Sequence, residues 1–327
     1  MDERYLWDKS GPADREIERL ERLLGRFRQN RPAPEIPRHR PRLPFLAAAA
    51  ALLLAAGAVW LARRPGNAAW EVARVEGSPR VGGDRLGGRG RISVGDWLET
   101  DSSSRAKIRV GKIGQVDVEP NSRLLLVAAR WTDHRLALER GAIEARIWAP
   151  PRLFFVETPS ALAVDLGCVY RLAVDEAGGG LLSVTAGWVQ FERGGRESLV
   201  PAGASCVTKP GVGPGTPFYD DASPALREAL ARFDFHGDGK ALDTILVEAR
   251  KRDALTLWHL LLRAEGEAQG RVFERLAALV PPPPGVTREA VARREDRALE
   301  LWRGALEIPW FQKDVPWWRK AWHRMWS

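Results

Sequence analysis

Between residues 70 and 208, apolar and polar side chains alternate in short runs, and this pattern limits the fold more than any other feature of the chain. A period of two sends successive side chains to opposite faces of an extended segment, so each run reads as a strand with one buried face. The alternation is clear over 106–110 (AKIRV) and 115–119 (QVDVE), and recurs over 155–158, 163–166, 170–174, 182–185 and 188–192. Leu136, Leu138, Ile143, Ala145 and Ile147 extend it around a turn expected at Arg140-Gly141. Pro120-Asn121-Ser122, Ala149-Pro150-Pro151, Gly178-Gly179-Gly180 and Gly194-Gly195 separate the runs. Many short strands with no helical pattern between them predict an all-β sandwich or roll, here over 66–210.

The pattern then changes. A Pro/Gly run at 210–217 (PGVGPGTP) reads as part of a linker over 211–221. Ser223-Pro224 follows, an N-cap with proline at the first helical position. Helical spacing appears over 225–233, 241–250, 254–264, 269–280 and 288–306, interrupted by the four prolines at 281–284. These segments predict a separate all-α domain over 222–327. Its last residues gather Trp317, Trp318, Trp322 and Trp326 among Arg319, Lys320, His323 and Arg324. Such a tail suits a membrane interface; closing the core of the helical domain is the other reading.

Residues 43–62 (LPFLAAAAALLLAAGAVWLA) carry no charge. Twenty helical residues reach about 30 Å, the thickness of a bilayer's hydrocarbon core. The run starts too late and runs too long for a cleaved signal peptide. It predicts one transmembrane helix, with the lipid bilayer as partner. Arg28, Arg31, Arg38, Arg40 and Arg42 precede it, against Arg63, Arg64 and Arg74 after it. The positive-inside rule then puts the N-terminus in the cytoplasm and the bulk outside the inner membrane.

Residues 1–42 read as a helical stub and a Pro/Arg linker. Ile17, Leu20, Leu23, Leu24 and Phe27 share one helix face, with Asp14 as cap and Glu16 and Glu18 in the first turn. So small a unit cannot bury a core alone. A partner-binding helix is one reading; a self-associating or membrane-lying helix is the other.

Of the 327 residues, 45% are hydrophobic and 28% charged, which is the balance of a folded protein. The net charge of +8 comes mostly from scattered arginines, so no nucleic-acid partner is expected. No P-loop, GxGxxG or GxSxG occurs. Ser104 and Lys107 form S-x-x-K without its companion motifs. Asp234-Phe235-His236-Gly237-Asp238-Gly239 resembles the start of a calcium loop, but Ile245 stands where the bidentate Glu belongs. No enzyme activity, cofactor or metal is therefore expected. Cys168 and Cys206 are the only cysteines. A disulfide between them, closing about forty residues, and two buried thiols are both open readings.

Several segments of the β region share their pattern with one family. Gly95-Asp96-Trp97-Leu98-Glu99-Thr100 fits G-D-x-L-x-T, and residues 116–122 fit the strand and turn that follow it. Residues 136–143 fit L-x-L-x-x-G-x-V; Phe155 to Pro159 with Ala163 to Gly167 fits F-x-V-x-T-P and V-x-x-x-G-T, with Cys168 in place of Thr. Residues 183–189 and Val200-Pro201-Ala202-Gly203 match the closing segments. In this order, over about 70–210, they resemble the FecR domain. The resemblance implies a β-rich sensing domain outside the cytoplasmic membrane, and control of an extracytoplasmic-function sigma factor by the N-terminal segment. An envelope scaffold anchored by one helix, binding other envelope proteins with no sigma-factor role, is the alternative.

Overall fold

The computed structural model describes residues 15–27 and 69–314, with side chains through 306. The chain divides into two units, Met1–Arg64 and Pro65–Ser327. In the first, α1 (Arg15–Leu24) continues as a short 3-10 turn (Gly25–Phe27). The second opens with β1 (Ala69–Glu76), β2 (Arg80–Val81), β3 (Asp84–Arg85), β4 (Arg89–Ser93), β5 (Trp97–Glu99), β6 (Arg105–Val110), β7 (Gly114–Val118), β8 (Arg123–Arg130) and the long β9 (Asp133–Ile147). After it come β10 (Phe154–Glu157), β11 (Leu162–Asp165), β12 (Val169–Val174), β13 (Gly180–Ala186), β14 (Trp188–Arg193), β15 (Arg196–Pro201), β16 (Ala204–Lys209), β17 (Gly213–Pro214) and β18 (Phe218–Tyr219).

The pairings form two sheets that share β9. One runs β4-β1-β6-β7-β9-β12-β13-β16, with β17 and β18 both on β16. The other runs β3-β2-β5-β8-β9-β10-β11-β14-β15. All pairs are antiparallel except β9 with β10. In both sheets, every strand before β9 in sequence lies on one side of it and every later strand on the other. The inward side chains make one core, including Trp70, Ile92, Leu126, Ile143, Phe154, Tyr170 and Phe191.

β9 passes between sheets at Gly141. His134, Leu136 and Leu138 are buried in its first half, Ile143, Ala145 and Ile147 in its second, so the buried parity changes from even to odd. That one-residue shift aims both halves inward from different sheets. Gly141 has φ 92°, and a Cβ there would lie 2.3 Å from the Ser122 Cα. Only glycine fits both the left-handed conformation and this approach. Ser122 completes the corner: its Oγ accepts from Ala142 N at 2.9 Å, and Thr100 Oγ1 accepts from Ser122 N at 2.9 Å. The turn expected at Arg140-Gly141 is thus one continuous strand changing sheets.

The C-terminal helices are α2 (Pro224–His236), α3 (Ala241–Glu248), α4 (Ala254–Arg263), α5 (Gly266–Leu279), α6 (Arg288–Ala292) and α7 (Asp296–Asp314). Ser223 Oγ caps α2 by accepting from Leu226 N, and Gly237 ends it in the left-handed region.

Two expectations are corrected. A β domain with a separate all-α domain does not describe the fold: Trp188 of β14 is buried in the same cluster as Leu226, Leu257, Leu260 and Trp302, with Leu166, Leu199 and Phe218 packed against it. The helices follow the β strands and sit on them within one unit. The expected linker over 211–221 contains β17 and β18, which pair with β16. The Pro/Gly run makes a tight return onto the sheet, with Lys209 opposite Gly213.

The single-pass inner-membrane architecture, with its cytoplasmic N-terminus, is the second. The run 43–62 lies outside the described residues. Among the described residues no helix is long and apolar enough to cross a membrane. The two most apolar, α3 and α4, have eight and ten residues and reach about 12 and 15 Å. The longest, α7, carries Asp296, Arg297, Glu300, Arg303, Glu307, Lys313 and Asp314. The second unit is a mainly β fold whose helices follow its strands and pack on them. The tail residues Trp317, Trp318, Trp322 and Trp326 also lie outside the described residues.

Candidate partner-binding site

The residues expected to bind a partner come together on α1. At about 100° per residue, Ile17, Leu20, Leu23, Leu24 and Phe27 fall within an arc of about 120°. By the same geometry Arg15, Arg19, Arg22 and Arg26 flank that arc on one side, Glu18 lies opposite it, and Glu16 falls within it at the first turn. Glu16 and Glu18 in the first turn and Arg22 near the end oppose the helix dipole. No residue of α1 is buried among the described residues. Leu24 is 62% exposed and Phe27 78%. Covering such side chains stabilises by about 1.5–3 kcal/mol each, so the stripe can drive association with a complementary apolar groove.

A second arrangement joins the helices to the β strands. The Asp234 carboxylate of α2 is almost fully buried; it accepts from Arg196 Nη2 at 2.7 Å and from Thr216 N at 2.5 Å. Arg263 of α4 lies 3.5 Å from Asp234 and donates to Ser198 Oγ at 2.7 Å, to the Glu197 carbonyl at 3.1 Å and to Thr216 Oγ1. Burial pushes the Arg263 guanidinium pKa down, and Asp234 pulls it back. Nearby, Leu199 N donates to His259 Nε2 at 3.2 Å. Burial first, then the charge of Arg263, lowers the His259 pKa to about 3, so the ring is neutral. Sequence reasoning missed this cluster. Its charged members come from β15, α2 and α4, and no local spacing links them.

The cysteines do not meet. Cys206, on β16, stands opposite Leu182 of β13, while Cys168 precedes β12, whose Val169 stands opposite Ala186 of β13. Two strand spacings, about 9–10 Å, and about four residues along the sheet separate them, beyond the reach of a disulfide. Both are buried thiols. Cys168 Sγ donates to Asp165 Oδ2 at 2.5 Å, and Cys206 Sγ to the Gly215 carbonyl at 3.1 Å. Burial pushes the Cys206 pKa to about 12.

The other motif residues have structural partners. Ser104 is buried, and its Oγ accepts from Ser78 N at 2.8 Å, while Lys107 pairs with Asp117 at 3.1 Å. Asp238 bonds Arg232, and Asp234 faces the cluster above. Among the described residues no group of three or more His, Cys, Asp or Glu side chains could hold a metal ion.

Residues 96–190, from the approach to β5 to the middle of β14, match the protein family described as FecR protein. This segment is similar to a FecR domain. β1–β4 and β15–β18 lie outside the match and complete the two sheets. Two crystal structures, each of a protein from Parabacteroides distasonis provisionally described as an anti-sigma factor, are similar. One is 13% identical over 42% of this chain and 64% of that one; the other is 11% identical over 46% and 73%. Both have a TM-score of 0.33. The chain thus spans less than two thirds of the first structure's length. No curated protein matches the chain.

Proposed function

We propose that the chain is a non-enzymatic regulator in which α1 docks on a protein of the sigma-factor kind and the FecR domain, with its helical layer, receives the controlling partner. The observation that carries the reading is the apolar stripe of Leu20, Leu23, Leu24 and Phe27, exposed on a helix with a fully polar opposite face. A helix of this length is marginal alone in water, and burying the stripe in a partner's groove supplies cover that no described residue gives. The FecR match over 96–190 supports a regulatory domain in the same chain.

The test is titration of the full chain against purified sigma factors from the same genome, read by interferometry. One of them binds, and Leu20→Asp with Leu24→Asp weakens it by about 2–4 kcal/mol, the scale of an interface hot spot. Failure of every sigma factor to bind, or equal binding by the double variant, rejects the reading.

A further inference from the structure

The first sheet ends in β4, which among the described residues pairs only with β1. Its phase is fixed by a hydrogen bond from Arg74 N to the Gly88 carbonyl at 2.7 Å. In an antiparallel ladder, one residue's N–H and C=O point to the same side and the next residue's point away. Gly90 and Ile92 therefore face β1, and Arg89, Arg91 and Ser93 face outward. The outward groups of Ser93 are used locally: its N–H donates to Asp96 Oδ2 at 2.8 Å, and its carbonyl accepts from Asp96 N at 3.0 Å. The open main-chain groups belong to Arg89 and Arg91.

The side chains of the same two arginines stand exposed on the sheet's outer face, beside a groove of ≈ 630 Å³. Cross-strand register surrounds its floor with cations. Ala73 lies between Arg89 and Lys107, and Glu71 between Arg91 and Arg109. Glu71 contacts Arg109 at 3.5 Å and Lys107 contacts Asp117, whereas Arg89 and Arg91 form no ion pair with a described residue. No aromatic side chain lines the groove to stack a base. Open edge strands invite pairing, and charges on them deter a second copy of the same strand. Here the deterrent has one sign, which selects a strand of the opposite sign.

We propose that β4 accepts an acidic extended segment of a partner polypeptide as an added strand. Its main chain pairs with Arg89 and Arg91, and its alternate carboxylates, on the groove side, pair with the two guanidinium groups. Residues directly opposite in a ladder share a face, so a period-two acidic pattern is the matching sequence. β4 lies outside the residues that match the FecR family, and the inference is independent of α1.

The test uses the full chain and a fluorescein-labelled peptide of alternating Glu and Thr. Four results are expected. Arg89→Glu with Arg91→Glu weakens binding by about tenfold or more, or about 1.4 kcal/mol. A Lys-Thr peptide binds that variant and not the parent. N-methylation of alternate residues in the Glu-Thr peptide, in the phase that faces β4, removes binding while keeping its charge. Hydrogen exchange at the Arg89 and Arg91 amides slows when the peptide is bound. Equal binding of the N-methylated peptide, equal competition by inorganic polyphosphate, or no binding at all overturns the proposal.

Discussion

Asp234 of α2 and Arg263 of α4 approach to 3.5 Å with side-chain exposures of 2% and 10%, against the strand that carries Arg196 and Ser198. The pair ties two helices to β15. Removing one partner of a buried pair leaves an uncompensated charge and costs about 3–5 kcal/mol. Asp234→Ala should lower stability by about that amount in urea unfolding. Asp234→Leu with Arg263→Met should recover much of it. Equal stability of Asp234→Ala and the parent would show that the pair does not hold the helices.

His259 makes the same junction sensitive to acid. Its folded pKa is about 3 because of burial, against an ordinary value of 6.5. Between those values the unfolded chain binds a proton that the folded chain does not. Stability is therefore full above about pH 6.5 and falls as the pH drops toward about 3. Thermal unfolding followed from about pH 7.5 to 4.5 should show a falling Tm, with a shallower fall in His259→Gln. Some slope should remain, because burial also lowers the pKa of His134. Parallel curves for parent and variant would rule out His259 as a source.

Gly141→Ala tests the corner of β9. The added Cβ would meet the Ser122 Cα at 2.3 Å in a left-handed conformation. Strain of that kind costs about 3 kcal/mol. Urea midpoints should fall accordingly. Ser122→Ala should cost about 1–3 kcal/mol by leaving the Ala142 N–H without its acceptor. A change under about 0.5 kcal/mol for Gly141→Ala would contradict the bent strand.

Both cysteines should be inert until the chain unfolds. A thiol reagent should find no reactive group in the native protein and two in unreduced denaturant, and reductant should leave the Tm unchanged. The high pKa of Cys206 leaves almost no thiolate near neutrality. One or no reactive thiol in unreduced denaturant would contradict the structure.

The strands were legible because their inward faces obey the period that the sequence displays: Ile108 and Val110 of β6, and Val116 and Val118 of β7, are all buried. The corner at Gly141 was misread as a turn, although the odd spacing from Leu138 to Ile143 already contained the change of face. Gly213 and Pro214 were misread because Pro/Gly composition does not distinguish a linker from a tight return onto a sheet. The apolar stripe of α1 was legible from spacing alone. Asp234, Arg196 and Arg263 were not, since they lie 38 and 29 residues apart and tertiary folding alone brings them together. The sequence left open whether Cys168 and Cys206 pair for the same reason: which strand neighbours which is not a local property.

The shared strand β9 divides the β strands in time as well as in space. β1–β8 pair on one side of it and β10–β18 on the other, so a chain leaving the ribosome has made the first half of each sheet before either has its centre. Until β9 emerges, β7 and β8 lack the strand that pairs with the far edge of each. Arrival of β9 joins the half-sheets in one step. A chain severed within β9 would leave two halves that can recover the fold only by finding each other.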